Sequence, residues 1–519
     1  MKTTMLCALL LCSLTCCIHA RLDEWTITEK PSPGHEVKLT FAIKQHNPDW
    51  LKDKLKAVSY PDSPHYTDYM NFGEIAQYVY GEPESVKVVT EALESMGANE
   101  IDFTIGRDFV VAWVPVKAAE EYFNANFYKF VNRGCDGMMV VASPTYNIPM
   151  SMKKHIDFLS GFELPGKKCE KVKLRSSPQN SKIHVTPAYI DKQYNISGYT
   201  STSPQNSQAV AAFIGQYFDP SDLQMFQKKF NLPSKPITKI VGRNTPSQPG
   251  SEATSDVEYI SATGRNVDTW FISIDSSGLF LSWIVAQVNT TNSPWVHSVS
   301  YGSEERKTES DYLTRVDNEF MKFGISGRTV LFASGDGGAQ CLNGIFNPEW
   351  PGSSPHVTSV GGTISMDTVW AEGGGGFSNV FSMPDWQKEV VDAYLKSGQT
   401  PSHSLFNASG RAYPDISAFA TNYEYILNGK DLSVDGTSLS TPAVAGIISI
   451  LNDIRINNGQ KTLGFLNPLL YSLKGNGFYD VTKGANGDGG ECGGFKAIKG
   501  WDPASGWGSP NFGLLKSLI

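Results

Sequence analysis

The sequence predicts an α/β protein whose larger part is a doubly wound, mostly parallel β-sheet with helices on both faces. Strand-like and helix-like apolar segments alternate from about residue 183 onward, which is the pattern of βαβ units. The chain has 519 residues, more than one ordinary domain holds. Its composition, 40% hydrophobic and 18% charged, suits a substantial core and argues against a disordered chain.

The alternation defines the elements of this larger part, residues 183–519. The predicted strands are 237–241, 269–274, 295–300 and 329–333, and the predicted helices are 252–262, 279–288 and 305–323. A further apolar stretch, 443–451, predicts a buried helix. In such a sheet, functional groups collect where the strands end at their carboxyl edges.

The chain starts with the pattern of a secretory signal peptide at residues 1–20. Lys2 gives a positive start, residues 5–17 are apolar, and Ala20 is a small residue suited to cleavage. The apolar run is too short for a membrane anchor, which needs about 18 residues, so no membrane association is expected. The net charge of −8 argues against nucleic acid as a partner.

Cysteines and glycosylation sequons fit an exported protein. Four of the 8 cysteines lie in the signal peptide, and the other four allow three disulfide pairings. Those four are Cys135, Cys169, Cys341 and Cys492. N-glycosylation sequons start at Asn195, Asn289 and Asn407. Each sequon is weak evidence alone, but together with a signal peptide they favour a secreted or endolysosomal glycoprotein.

Residues 21–170 predict a separate unit that mixes helices and strands. Its predicted strands include 37–43 and 109–116, and its predicted helices are 50–58, 84–96 and 118–123. A polar stretch without apolar periodicity follows from Lys167 to Lys182. We interpret residues 171–182 as an exposed linker, where proteolytic nicking is favoured.

A Gly-Thr-Ser turn enters the predicted buried helix at Gly436-Thr437-Ser438 and continues as Leu-Ser-Thr-Pro. A serine at a helix N-terminus lies beside unpaired N–H groups and the positive end of the helix dipole. That surrounding suits a nucleophile whose substrate carbonyl becomes an oxyanion. The alternative is an ordinary Ser/Thr helix cap, but the length of the motif favours a nucleophile at Ser438.

A carboxylate is the better candidate for the base that this serine needs. None of the 9 histidines is followed by Gly-Thr, so a histidine triad of the subtilisin type is not expected. Glu252 and Asp256 stand four residues apart at the start of a predicted helix, hence on one face. Two close carboxylates tend to share a proton, and such a pair can act as a base in acid. The alternative is a solvated acidic first turn.

A third acidic residue, Asp336, follows the predicted strand 329–333 within Ser-Gly-Asp-Gly-Gly. This position places it at the carboxyl edge of the predicted sheet. Held protonated in acid, it would donate a hydrogen bond to an oxyanion. The alternative is a plain Asp-Gly turn.

These motifs together resemble the sedolisin family of serine-carboxyl peptidases. The resemblance rests on residues 252–256, 334–338 and 436–438, and it extends to residues 350–355, 360–363, 374–381 and 413–418. It covers nearly the whole chain after the signal peptide. It implies a subtilisin-like fold for residues 183–519 and an α+β inhibitory propeptide for residues 21–170, which includes the Ser-Pro-His-Tyr at 63–66.

The resemblance assigns roles to the candidate residues. Ser438 would be the nucleophile, Glu252 its base, Asp256 the partner that orients Glu252, and Asp336 the group that assists the oxyanion. The glycine run 373–376 would line the substrate cleft, where glycines let backbone approach an extended peptide; a flexible surface loop is the alternative.

The resemblance also implies a Ca²⁺ site at the C-terminus. Hard oxygen ligands suit Ca²⁺. The implied ligands are the carboxylates of Asp480 and Asp502 with the carbonyls of Val481, Ile498 and Gly500. The nearby loop holds fewer cysteines than the family leads us to expect. A disulfide between Cys341 and Cys492 is plausible, which leaves Cys135 with Cys169.

The implied function is an acid peptidase, lysosomal or secreted, made as a self-activating precursor. The implied substrates are polypeptides with free N-termini, from which tripeptides are removed, and the propeptide is a partner within the chain. Nothing in the residue spacing explains the count of three. An acid endopeptidase of the same family is therefore one alternative. A secreted calcium-dependent binding protein with a catalytically inactive peptidase fold is another.

Overall fold

The computed structural model describes residues 25–132, 138–164, 183–196, 198–213, 215–274, 279–305, 310–487 and 492–519. The predicted signal peptide, the predicted linker, Cys135 and Cys169 lie outside these residues. Contacts divide the chain into two compact units. The first unit contains Met1–Pro48, Gly73–Lys171 and Ser276–Val285, and the second contains Asp49–Phe72, Val172–Asp275 and Ala286–Ile519.

The first unit is an α+β domain with two antiparallel sheets. The larger sheet has the order Asn99–Phe103, Phe109–Pro115, Glu36–Ile43, Ile156–Ser160, and the smaller has the order Trp25–Glu29, Tyr128–Asn132, Met138–Ala142. Its helices are Pro83–Ser95, Val116–Phe123 and Met150–Lys153, and the short helix Phe72–Ile75 spans the boundary with the second unit. Leu39, Phe41 and Val114 are fully buried in its core. The predicted strands 37–43 and 109–116 and helices 84–96 and 118–123 are confirmed.

The second unit is built on an eight-stranded, mostly parallel sheet. Its strands are β1 (Ser207–Phe213), β2 (Lys239–Val241), β3 (Asp268–Ile274), β4 (Val296–Val299), β5 (Thr329–Ala333), β6 (Thr358–Ser365), β7 (Thr368–Val369) and β8 (Ile416–Phe419). The strand order is β7-β6-β5-β4-β1-β3-β2, and β8 also pairs with β6. Only the β6–β7 pair is antiparallel. The predicted doubly wound fold is confirmed.

The central strand β1 is absent from the predicted set. Its sequence, Ser-Gln-Ala-Val-Ala-Ala-Phe, is buried at nearly every position because neighbouring strands and both faces enclose it. A strand buried on both faces does not alternate between apolar and polar residues, and an alanine-rich run suits a helix equally well. Periodicity alone therefore gives no signal for this strand.

The second unit contains the helices α1 (Trp50–Ser59), α2 (Ser251–Thr263), α3 (Ser310–Ile325) and α4 (Thr437–Asn457). The predicted helices 50–58, 252–262 and 443–451 are confirmed, although α4 is much longer than predicted. The predicted helix 305–323 corresponds to α3, and residues 306–309 lie outside the described chain.

Shorter elements complete the second unit. The remaining helices are Pro187–Tyr194, Pro220–Lys229, Lys388–Leu395, Asn467–Ser472 and Phe512–Leu518, and Leu279–Val288 spans the boundary between the units. The remaining strand pairs are Ser303–Glu304 with Glu349–Trp350, Cys341–Leu342 with Ile345–Phe346, Gly376–Ser382 with Gly410–Tyr413, Tyr423–Leu427 with Lys430–Val434, and Phe478–Tyr479 with Ser509–Pro510.

Helix α4 is the core helix of the second unit. It is long and apolar enough to cross a membrane, but 89% of its most apolar window is buried inside the protein. It packs closely on α2 at Gly446, where an added Cβ would lie 2.1 Å from Thr263 Oγ1 and 2.4 Å from the Gly264 nitrogen. Glycine is required there because no larger residue permits this approach. The packing holds the two helices that carry Ser438 and Glu252 in contact.

Candidate active site

Ser438 lies in the first turn of α4. The residue at the helix N-cap is Gly436, which makes no side-chain cap, with φ 156° and ψ 150°. This backbone region is essentially restricted to glycine, and a Cβ there would also approach Asp336 Oδ2 to 3.0 Å. Ser438 is partly exposed between the buried residues Thr437 and Leu439. Ser438 is therefore not an ordinary helix cap, and its side chain is within reach of solvent.

Asp336 lies beside the residue that precedes the candidate nucleophile. It follows β5, as predicted, and its Oδ1 accepts hydrogen bonds from Thr437 N at 2.8 Å and Thr437 Oγ1 at 2.7 Å. The threonine hydroxyl also lies 3.2 Å from both Gly335 N and Gly335 O. Asp336 is partly exposed. These contacts join the carboxyl end of β5 to the start of α4, which a plain Asp-Gly turn does not require.

Asp256 is linked to Ser438 through one intervening hydroxyl group. Asp256 is fully buried on α2. Ser300, the residue directly after β4, points its Oγ at Asp256 Oδ1 at 2.8 Å and at the Ser438 carbonyl oxygen at 3.1 Å. One hydroxyl proton is thus shared between two acceptors. The link connects α2, β4 and α4 at the carboxyl edge of the sheet.

Glu252 lies one turn before Asp256 and is partly buried. The pKa of the fully buried Tyr301 is raised well above its ordinary value by burial first, and then by the charges of Glu252 and Asp256. Both carboxyl groups therefore lie near the same phenol, whose hydroxyl donates to Phe213 O at the end of β1 at 3.4 Å. A solvated acidic first turn does not describe this buried arrangement.

Two further polar contacts surround the start of α2. Ser251 Oγ lies 2.8 Å from the hydroxyl of Tyr425, a buried residue of the Tyr423–Leu427 strand. The pKa of Tyr425 is raised to about 12, mainly by burial, with smaller contributions from Glu258 and Glu252. Glu258 is fully buried on α2 and accepts a hydrogen bond from Ile426 N at 3.1 Å. These contacts hold the Tyr423–Leu427 strand against the helix that carries Glu252.

Ser300, Tyr301, Tyr425 and Glu258 are absent from the predicted site. Ser300 and Tyr301 stand in the same relation to β4 as Asp336 does to β5, so the carboxyl end of the predicted strand is the signal that could have identified them. Tyr425 and Glu258 carry no such signal, because their roles depend on contacts between distant parts of the chain.

The glycine run 373–376 is buried rather than an exposed flexible loop. Gly374 N donates to Gly335 O at 2.7 Å, and a Cβ on Gly374 would lie 1.9 Å from Ser334 O. The run therefore packs against the strand end that carries Asp336, which makes the surface-loop alternative wrong. Its glycines permit close approach of the protein's own backbone.

The histidines of the second unit have other partners. His297 is fully buried in β4, with its Nε2 near Ser293 Oγ and Pro294 O. Burial and the charge of Arg328 lower its pKa to about 3, so it stays neutral. His356 contacts Asp317 at 2.7 Å and His184 contacts Glu424 at 3.2 Å. The expectation that these residues are ordinary surface or core histidines fits the contacts.

The residues expected to bind calcium lie around one loop. Ile498 N donates to Asp502 Oδ2 at 2.8 Å, and Gly500 N donates to Asp480 Oδ2 at 2.9 Å. Asp502 is fully buried, and burial raises its pKa to about 8 although four donors contact it. Burial also raises the pKa of Asp480.

This donor set fits a hard cation. A buried carboxylate is stabilised by a cation, and Ca²⁺ takes carboxylate and carbonyl oxygens. Among the described residues no group of three or more His, Cys, Asp and Glu side chains could hold a metal, so any cation here depends on two carboxylates and backbone carbonyls.

A disulfide joins Cys341 and Cys492, with Cα atoms 5.7 Å apart. This agrees with the pairing expected from the resemblance. Cys341 lies five residues after Asp336, so the bond connects the C-terminal loop to the segment that follows β5. It closes a span of 151 residues.

Comparisons with known proteins agree with this geometry. The family model "Pro-kumamolisin, activation domain" matches residues 23–163, and the model "Subtilase family" matches residues 262–462. Tripeptidyl-peptidase 1 of Mus musculus is 39% identical over 530 residues, which cover 95% of this chain and 94% of the relative. Tripeptidyl-peptidase 1 of Homo sapiens is 38% identical over 529 residues with the same coverage.

A solved structure agrees as well. Pseudomonas sedolisin, a serine-carboxyl proteinase complexed with pseudo-iodotyrostatin, aligns with a TM-score of 0.54 and 26% identity. The alignment covers 65% of this chain and 98% of that protein.

Proposed function

The chain belongs to the sedolisin family of serine-carboxyl peptidases, and on that premise we propose that it removes tripeptides from the free N-termini of polypeptides in acid. It is a hydrolase with an activation domain at residues 23–163. The proposed catalytic chemistry is supported by the shared hydrogen bond of Ser300 Oγ, which links Asp256 to the backbone of Ser438. The proposed tripeptide specificity is supported by the similarity to tripeptidyl-peptidase 1.

The proposed reaction begins with proton transfer from the Ser438 hydroxyl to Glu252. The oxygen attacks the peptide carbonyl, an acyl-enzyme forms, and the proton on Glu252 passes to the leaving amine. Water then hydrolyses the ester with Glu252 again as base. Asp256 orients Glu252 and shares its proton, which suits two close carboxyl groups in acid.

Asp336 and the start of α4 would stabilise the oxyanion. Asp336 already contacts Thr437, the residue before the nucleophile. In its protonated form it can donate to the oxyanion beside the N-terminus of α4. Loss of one such donor typically slows catalysis about 10²–10³-fold. We propose that the buried glycine run 373–376 fixes the wall of the cleft next to Asp336.

We propose the following organisation for the precursor. Residues 1–20 direct export, residues 21–170 assist folding and block the cleft, and cleavage in 171–182 releases residues 183–519 as the mature enzyme. In this proposal Ca²⁺ would be held by the carboxylates of Asp480 and Asp502, which lie around one loop, and by the carbonyls of Val481, Ile498 and Gly500. Bound there, it would neutralise the buried carboxylate of Asp502 and the exposed carboxylate of Asp480. The route is secretory, with the lysosome or the exterior as destination.

An acid digest of peptides tests the proposal. Purified precursor is first held at pH 4 and at pH 7, and conversion to a shorter chain is expected only at pH 4. The product is then incubated with peptides of 10 to 20 residues and the cleavage products are identified by mass spectrometry. A ladder of N-terminal tripeptides supports the proposal, whereas internal cuts support the endopeptidase alternative.

Two variants complete the experiment. Ser438→Ala and Glu252→Gln, activated in trans, are expected to give no ladder. A Ser449→Ala control is expected to digest like the wild type, because that hydroxyl donates within its own helix, to Ala445 O at 3.0 Å. If Glu252→Gln digests like the wild type, the carboxylate base is wrong.

A further inference from the structure

Three glycines of the second unit make room for side chains of residues 49–72. A Cβ on Gly324 would lie 2.6 Å from Leu55 Cδ1. A Cβ on Gly327 would lie 2.5 Å from Tyr69 Cδ2, and one on Gly464 would lie 2.5 Å from the Tyr69 hydroxyl oxygen. A larger residue at any of the three positions would force the opposing side chain to shift. The peptidase part of the chain is thus shaped around Leu55 and Tyr69.

Tyr69 occupies a slot whose walls include Gly327, Thr462 and Gly464. Its hydroxyl donates to Thr462 O at 3.0 Å, and burial raises its pKa. The walls are joined to each other, because Thr462 Oγ1 donates to Gly327 O at 2.7 Å. A second bond runs from Thr329 Oγ1 to Gly464 O at 2.6 Å. An aromatic ring with a satisfied hydroxyl in such a slot is the usual anchor of a tight interface.

The contact continues on both sides of Tyr69. Met70 N donates to Ile325 O at 3.1 Å, and the rings of Phe72 and Phe323 lie 5.8 Å apart. Helix α1 packs along α3. Residues 49–72 are therefore grouped with the second unit, although they lie within the activation domain matched over residues 23–163.

A charged contact at the exposed edge of this interface contributes less to its stability. Lys56 Nζ lies 2.5 Å from Asp385 Oδ2, and the Tyr60 hydroxyl donates to the same carboxylate. Both charged side chains are more than half exposed, at 57% and 59%, so solvent screens the pair. Burial opposes ionisation of Asp385, but the bonds from Lys56 and Tyr60 outweigh it and lower its pKa. The stabilisation is lost only when the pH falls through that lowered pKa, so mild acid does not break this contact.

The slot lies at the opposite edge of the sheet from the catalytic groups. Gly327 precedes β5 and Asp336 follows it. The five residues of β5 separate the two edges by roughly 16 Å. Leu55 and Tyr69 thus contact residues at the amino edge of the sheet, whereas Asp336 and Ser438 lie at its carboxyl edge.

We propose that residues 49–72 are a docking segment that holds the propeptide to the peptidase domain and stabilises its fold, and that this role is separate from blocking the cleft. Tyr69 is its main anchor. The occupant of the slot is this segment of the same chain, and the slot is vacated when the propeptide leaves. The proposal rests on the precursor function proposed above.

The test compares full-length Tyr69→Ala, Tyr69→Phe and Lys56→Ala with the wild type. The secreted yield of precursor, its thermal midpoint and its rate of conversion at pH 4 are measured. Tyr69→Ala is expected to lower the yield at least ten-fold, because it removes the aromatic ring that fills the slot between Gly327 and Gly464. Tyr69→Phe keeps the ring, so it is expected to be secreted with a lower thermal midpoint and faster conversion. Lys56→Ala, at the solvent-screened rim, is expected to stay within two-fold of the wild type.

Mature chains from these precursors have the same sequence, since residue 69 is removed with the propeptide. Their kcat/KM is therefore expected to be identical to that of the wild type. The docking role would be overturned if Tyr69→Ala and Tyr69→Phe matched the wild type in secreted yield, thermal midpoint and rate of conversion at pH 4. Peptidase activity of the uncleaved Tyr69→Phe precursor would overturn the separation from the cleft, because the segment would then be needed to block it. If wild-type precursor gives no shorter active chain, the precursor function itself fails, which is a distinct result.

Discussion

Substitution of Gly446 by alanine tests whether the spacing of α2 and α4 controls activity. Gly446 lies on α4 where that helix meets the C-terminal end of α2. An added Cβ would lie 2.4 Å from the Gly264 nitrogen and 2.9 Å from Ile260 O, both backbone atoms that cannot rotate away. Ordinary contact starts at 3.4 Å, so the helices must separate by about 1 Å locally.

The expected change in stability combines a cost from overpacking with a gain from helix propensity, and the expected change in rate follows from the displaced catalytic groups. Overpacking of this kind costs about 1–3 kcal/mol, while alanine in place of glycine in a helix gains about 1 kcal/mol. The net loss of stability is therefore about 0–2 kcal/mol. Misplacement of catalytic groups by about 1 Å can cost about 10² in rate. We expect Gly446→Ala to change the thermal midpoint little and to lower kcat/KM about 100-fold.

The assay is kcat/KM at pH 4 on a tripeptide with a fluorescent amine leaving group, with the thermal midpoint measured in parallel. Ser449→Ala on the same helix is the matched control and is expected to stay within two-fold of the wild type. Full activity and a normal midpoint of Gly446→Ala would show that the catalytic side chains do not depend on close contact between α2 and α4.

Three other predictions address the acid groups. Asp336→Ala, which removes the donor, is expected to lower kcat about 10²–10³-fold, and an equivalent rise in KM at unchanged kcat would contradict the oxyanion role. Burial raises the pKa of Glu258 well above 4.5. Below pH 4.5 this carboxyl is protonated in both the folded and the unfolded chain. As the pH rises towards neutral, the unfolded chain loses the proton first, so the free energy of unfolding falls. Glu258→Gln cannot ionise, and its thermal midpoint should match the wild type at pH 4 and exceed it at pH 7; a lower midpoint at pH 7 would show that the charged form is the stable one. A calcium chelator should lower the thermal midpoint of the mature wild type but not that of Asp502→Asn, and equal responses would place the ion elsewhere.

Much of the fold could be predicted because its elements have clear periodicity. Strands β3, β4 and β5 are short apolar runs with turn residues around them, and each is followed by a segment of helical period. Strand β1 could not be found in this way, since both of its faces are buried. The extent of α4 was underestimated because Thr437 to Pro442 is polar in sequence yet mostly buried in the fold.

The candidate site was partly predictable for a similar reason. Asp336, Glu252 and Ser438 occupy strand ends and helix starts, which sequence patterns locate. Tyr425 and Glu258 act through pairing between α2 and a strand more than 160 residues away along the chain. The docking of Tyr69 into a slot made partly by Gly464 spans an even longer separation. Local patterns do not encode such contacts.

The pH dependence of acylation in Glu252→Gln tests most directly whether a carboxylate accepts the proton of Ser438. A single-turnover burst of amine from the fluorescent tripeptide substrate is followed between pH 3 and pH 7. We predict that the wild type acylates in acid and that Glu252→Gln and Ser438→Ala acylate at least 10³-fold more slowly, although the thermal midpoints show both variants to be folded. Acylation of Glu252→Gln at the wild-type rate and pH profile would contradict this prediction, because the proton of Ser438 would then have another acceptor.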